Sequence, residues 1–211
     1  MLNYKFQIKR HNKPSRTSYY LLLSTLFLVA FLERTVWDLG PNVELVTTVM
    51  ILASFYLGRK ESFWLTFTII ATTDRLIGNS SIFLFTWSGF LLPAFLAGSV
   101  FKYLSTKYKH PATKKILDGV LLTSLGISSN IFFYLWTNFG VWLLDSWEMY
   151  TNNLRGLLLC YINGLPFLKN QMVSSLLFIP LGIVLIEAAL KLAIKYKSNY
   201  ANYLQILKDS H

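Results

Sequence analysis

Charged residues are spread unevenly along this chain and leave long apolar blocks between them. Residues 17–32 and 82–101 contain no Lys, Arg, Asp or Glu, and each block approaches the roughly 20 residues that cross a hydrocarbon core. The punctuation between blocks predicts the elements. A first helix over 17–36 stops at Gly40-Pro41, and a second runs over 42–57. The tetrad Arg59, Lys60, Glu61, Ser62 breaks the hydropathy before a third helix over 63–77, and Gly78-Asn79-Ser80-Ser81 is a loop signal. A fourth helix over 82–104 leads to a basic connector containing His110-Pro111, then to a fifth over 116–143, tilted or broken near Gly140.

Residues 145–171 are less regular. Within them 154–167 is apolar but too short to span, which predicts a re-entrant or interfacial segment before a sixth helix over 172–194. The pattern predicts an all-α, polytopic membrane helical bundle of about six transmembrane helices. Its parts are a basic cytoplasmic arm (1–16), one transmembrane domain (17–197) and a cytoplasmic tail (198–211).

Composition agrees. Of 211 residues, 54% are apolar, 16% aromatic and only 14% charged, too apolar for a soluble domain of this size. The net charge of +10 would suggest nucleic acid if the basic residues formed one surface. They are instead interleaved between apolar segments, as orientation determinants are, so no nucleic-acid partner is expected. Sixteen of the twenty Lys and Arg fall in the N-terminal arm, the second loop, the fourth connector and the C-terminal end. Arg34, Arg75, Arg155 and Lys169 lie at the opposite ends, where Glu33, Asp38, Glu44, Asp74, Asp145 and Glu148 also collect. This bias predicts a multi-pass protein of the cell (inner) membrane with both termini cytoplasmic. The basic start resembles a signal peptide, but the following apolar run is too long and lacks a small-x-small cleavage site, so it reads as a retained helix.

Catalytic and cofactor chemistry finds little footing. One cysteine, Cys160, permits no intramolecular disulfide and no thiolate cluster, and reads as a packing residue before a soft-metal ligand. His11, His110 and His211 stand in polar segments without a second ligand at metal spacing, and Glu187 has Lys191 one turn on as a partner. There is no Gly-rich phosphate loop, no Ser-His-Asp and no Cys-His signature. Neither an enzyme nor a cofactor is expected.

Binding chemistry has more. Glu33, Arg34, Glu44, Asp74 and Arg75 all fall within about 8 Å of the outer boundary, counted at about 1.5 Å per residue. Charged groups at such positions face a bundle interior or a wet cavity and pair with one another. Asp74 and Arg75 diverge by about 100° on a helix, so each needs its own partner, and Glu44 is the first choice for Arg75. Structural ion pairs and direct ligand contact both remain open for these groups. The outer ends of helices four and five, Phe83 to Ser88 and Trp136 to Trp142, offer aromatic area with a few hydroxyl and amide groups, which suits an organic ligand and equally an interfacial belt. Trp147, Tyr150, Asn152, Asn153, Arg155, Tyr161 and Asn163 could fold back as a lid.

The strings Pro41-Asn42-Val43-Glu44-Leu45-Val46-Thr47-Thr48, Tyr56-Leu57-Gly58, Asp74-Arg75-Leu76-Ile77-Gly78-Asn79 and Phe85-Thr86-Trp87-Ser88-Gly89-Phe90 resemble a family of small bacterial and archaeal membrane proteins without an assigned function. Thr137-Asn138-Phe139-Gly140-Val141-Trp142, Gly156-Leu157-Leu158, Cys160-Tyr161 and Leu165-Pro166-Phe167 are similar to the same family. That family resembles the S components of energy-coupling-factor vitamin transporters, six-helix proteins that bind their ligand near the outer surface. S components commonly dock to their coupling subunit through an Ala-x-x-x-Ala pair on helix one, and residues 24–30 hold no such pair.

The resemblance implies an S-component-like fold that captures a small organic solute, a vitamin or precursor, for uptake. The implied partners are the bilayer, the ligand, a transmembrane coupling subunit and its ATPases. The expected site residues are Glu44, Asp74, Arg75, Asn79, Thr86, Trp87, Asn138 and Tyr161. The alternative is a non-transporting scaffold or accessory subunit in which the same groups hold helices together.

Overall fold

In the computed structural model of the chain the described residues are 15–37, 39–40, 43–78, 81–107, 114–144 and 148–209, of which 197–209 are described as helical backbone alone. They form six helices in the order α1 (Arg16–Thr35), α2 (Val46–Tyr56), α3 (Arg59–Ile77), α4 (Phe83–Ser105), α5 (Lys114–Leu144) and α6 (Leu154–Asp209). The expected all-helical architecture is present, and no strand occurs among the described residues.

The packing is organised around α2. It is 11 residues long, residues 46–54 are all buried, and each of the other five helices touches it. At about 1.5 Å per residue it measures only about 17 Å, so it is shorter than expected and sits inside the protein as its core. Val46, Val49 and Leu52 face Leu26, Leu65, Ile69, Ile70 and Phe90, while Met50 and Ile51 pack with Ala94, Ala97, Leu122 and Ile179. A helix apolar all round is one that is surrounded, as this one is.

The tetrad expected to break the chain before α3 is instead its first turn. Gly58, at φ +133°, adopts a conformation that an L side chain rarely takes, and this lets the chain turn at once from α2 into Arg59. Ser62 then donates to the Met50 carbonyl at 2.8 Å, locking the two helices together. At the other end Gly78 closes α3 in the left-handed conformation, φ +79°.

Two further expectations fail for a common reason. α5 is not broken at Gly140, and residues 154–171 are not a helix separate from the one that follows. From Leu154 onward the chain is one helix that includes Pro166 and Pro180, and it continues through most of the expected tail. Gly164 and Gly140 read as breaks but serve as close-approach points. A Cβ on Gly164 would stand 2.6 Å from Asn138 Oδ1, and one on Gly140 would collide with the Phe85 ring. Asn153 starts α6 by accepting the Gly156 N–H at 2.9 Å.

Among the described residues three helices are long and apolar enough to cross a membrane: α4, α5 and, within α6, Leu154–Tyr196. Leu176, Leu177, Leu181, Val184 and Leu185 are exposed along α6, a face that suits lipid and supports membrane association.

Candidate functional site

The C-terminal ends of α1, α3 and α5, the segment that leads from α1 into α2, the N-terminal end of α4 and the first half of α6 surround a cavity of about 970 Å³. The convergence expected from residue depth is therefore real, but its membership differs from the expected set.

Glu33 and Glu44 stand at the wall where α1 gives way to α2. Leu45, which caps α2, offers no side-chain acceptor of its own. Glu33 Oε2 takes the Leu45 N–H at 3.1 Å, placing a carboxylate at the positive end of the core helix. Glu44 Oε1 accepts from the Thr47 hydroxyl at 2.8 Å, and its backbone carbonyl accepts from Ser174 of α6 at 2.7 Å. Both glutamates are buried, and both line the cavity.

Arg34 also lines the cavity, with its back against α3. Its Nη2 reaches Asp74 Oδ1 at 2.6 Å and its Nε reaches Thr73 Oγ1 at 2.9 Å. The other Asp74 oxygen accepts the Trp87 indole N–H at 2.8 Å. Arg34, Asp74 and Trp87 thus join α1, α3 and α4 through one buried carboxylate, with both its oxygens in charge-assisted bonds. This is the ion pair among the described residues, and it replaces the expected pairing of Glu44 with Arg75. Arg75 is exposed, one residue around the helix from Asp74 and off the buried stripe of α3.

Of the expected site residues, Glu44, Thr86 and Asn138 line the cavity. Asp74 and Trp87 are not among the lining residues: Asp74 holds Arg34, and Trp87 donates to Asp74. Tyr161 is turned away, its hydroxyl donating to the Leu135 carbonyl at 3.1 Å. Asn79 lies outside the described residues. The aromatic wall is also divided: Phe90, Phe133 and Tyr134 face the cavity, whereas Phe85, Trp136, Phe139 and Trp142 stack on one another along α4 and α5. From the expected lid, Tyr150 and Asn163 reach the cavity and bond each other at 3.2 Å, while Trp147 lies outside the described residues.

The family of unknown function DUF6580 matches residues 14–198. The chain belongs to that family. No curated protein and no solved structure matches it. In this DUF6580 protein the matched span takes in α1 to α5 and α6 as far as residue 198, so the cavity is built wholly from family sequence.

Glu33, Arg34 and Gln171 are among the polar cavity residues of this DUF6580 protein that stand outside the expected set. Glu33 and Arg34 are visible by depth, yet choosing between Arg34 and Arg75 requires the rotation of each helix. Gln171 carries no signal that separates it from its polar neighbours Lys169, Asn170, Ser174 and Ser175. It is 4% exposed, its carbonyl accepts from Asn130 at 2.8 Å, and its side-chain amide bonds none of the described residues. Cys160 is buried and donates to the Asn138 carbonyl at 3.3 Å, in keeping with a packing role. Glu187, expected to pair with Lys191, instead accepts from the Tyr56 hydroxyl at 3.2 Å. Fixed polar groups and aromatic area around a cavity are the equipment of a binding site.

Proposed function

We propose that this protein is a multi-pass protein of the cell membrane that captures a small organic solute in this cavity, at the outer end of a six-helix, S-component-like bundle. The observation that supports it most is the cavity itself. Its volume lies within the range of about 300–1,000 Å³ usual for ligand sites, and it brings Glu44, from the segment before α2, together with Thr86 of α4 and Asn138 of α5. Uptake would then use a transmembrane coupling subunit and its ATPases, because the chain has no phosphate-binding loop of its own.

A ligand that binds only the folded state raises its stability by RT ln(1 + [L]/Kd), about 2.7 kcal/mol at one hundred times Kd. Purified protein screened against vitamins, their precursors and nucleobases should show a rise in melting temperature with at least one of them. Asn138→Ala should remove that rise while the ligand-free protein still unfolds cooperatively. A panel without any shift sinks the capture reading.

A second reading draws on Asp74 and Trp87, whose polar atoms engage Arg34 and each other. In that reading the protein is an accessory subunit and the polar cluster serves helix assembly. Trp87→Phe separates the two. Loss of stability with no change in ligand response favours assembly.

A further inference from the structure

The charge around the cavity is unbalanced. Arg34 is the cation among the lining residues, and Asp74 sits against it at 2.6 Å. Glu33 is engaged with the start of α2 through the Leu45 N–H. Glu44 accepts from the hydroxyl and the backbone N–H of Thr47 and lies within the field of Arg34, but no cation forms an ion pair with it among the described residues. A carboxylate out of bulk water and without an ion-pair partner is costly, and a cation brought to it recovers that cost. Bringing an anion there would add a like charge beside two carboxylates.

A second observation points to a ligand on the same wall. Gln171 is nearly fully buried, lines the cavity, and its side-chain amide bonds none of the described residues. It is held close to Glu44, because Ser174, one turn on along α6, donates to the Glu44 carbonyl. The deep wall therefore presents a carboxylate oxygen and an amide, both with hydrogen-bonding capacity to offer.

Aromatic rings stand among the aliphatic and hydroxyl groups that make up the rest of the lining. Phe90 and Phe133 lie with ring centroids 4.3 Å apart, and Tyr134 follows Phe133 on α5. Ring faces attract organic cations and cover flat apolar bodies, whereas a hydrated metal ion gains little from them.

We infer that the cavity takes a small organic monocation, a protonated amine or quaternary ammonium carried on a flat apolar body, with Glu44 as its counter-ion and Gln171 as an orienting hydrogen-bond partner. The inference rests on the solute-capture reading and names its ligand class.

The test uses full-length protein and two matched sets of probes: tryptamine, tryptophol and indole-3-acetate; phenethylamine, phenethyl alcohol and phenylacetate. Affinity is read from the shift in melting temperature across a concentration series. Both amines should bind at least tenfold more tightly than their alcohols, about 1.4 kcal/mol, with the carboxylates weakest. Glu44→Gln keeps an acceptor for Thr47, so it should fold and lose the preference for the amines while still binding the alcohols. Gln171→Leu should weaken the amines and leave the order of the three charge types unchanged. Alcohols or carboxylates binding as tightly as amines overturn the charge inference and leave solute capture standing. An amine preference that survives Glu44→Gln also overturns it. No binding by any of the six overturns the charge inference alone, and solute capture then stands or falls on the vitamin and nucleobase panel.

Discussion

The Arg34–Asp74–Trp87 cluster joins three helices through groups that are out of bulk water. Asp74 has a side-chain exposure of 4% and Arg34 of 14%, so removing either leaves the other charged in a poorly hydrated place. Breaking a buried pair this way costs about 3–5 kcal/mol, whereas an exposed side chain changes stability by about 0.5 kcal/mol. Arg34→Ala should therefore lower stability by about 3 kcal/mol and Arg75→Ala by almost nothing, measured by unfolding in detergent. Trp87→Phe, which removes one hydrogen bond to a charged acceptor, should cost about 1.5–3 kcal/mol. Equal losses from Arg34→Ala and Arg75→Ala would refute the pairing. The residues of this cluster were legible in the sequence by depth, but the pairing was not. Ser62, Thr66, Ile69, Ile70 and Thr73 mark the buried stripe of α3 at helical spacing. Asp74 extends that stripe while Arg75 falls off it, a distinction that depth alone does not make.

Between elements, glycine contacts set how closely α5 and α6 approach. A Cβ on Gly126 would collide with Ile179 Cδ1, and Ile179 is fully buried against α2 and α4 residues. Gly126→Ala should therefore destabilise by about 1–3 kcal/mol through overpacking, despite the better helix propensity of alanine. Adding Ile179→Ala should recover part of that loss because it removes the colliding methyl. Two strictly additive losses would show that the contact does not limit the packing. The same residue type explains why α6 was not legible as one helix. Gly164, Leu165 and Pro166 carry every local mark of a turn, yet Gly164 is needed for contact with Asn138, and proline within a packed apolar helix is tolerated where neighbours satisfy the freed carbonyl. The existence of each helix followed from apolar runs. The short length of α2 did not, because a buried core helix and a short span have the same composition.

At the scale of the whole molecule, the contacts say which ends of the helices lie level. α2 begins where Leu45 meets Glu33, near the end of α1, and α3 begins where Glu61 accepts from Tyr19, near the start of α1. The chain therefore returns along α1 from the level of residue 33 to that of residue 19, about 21 Å by helical rise, although α2 itself is short. α5 and α6 form a second antiparallel pair, with Asn130 bonding Ser175 and Tyr134 bonding the Tyr161 carbonyl. On the proposed multi-pass reading this arrangement should give an even number of crossings, and the clusters Lys102, Lys107, Lys114 and Lys191, Lys195 should then share a side with Arg59 and Lys60. Lys and Arg are retained on the cytoplasmic face during insertion, so that side should be the cytoplasm and the cavity should face outward. Alkaline phosphatase folds only after export, and green fluorescent protein fluoresces only when it is not exported unfolded. A phosphatase fused after Asn152, between α5 and α6, should be active, and one fused after the final residue inactive. Green fluorescent protein at the same two points should give the opposite pattern. Active phosphatase at the C-terminus would mean an odd number of crossings. Reversal at both points would turn the cavity toward the cytoplasm and remove the basis for uptake from outside.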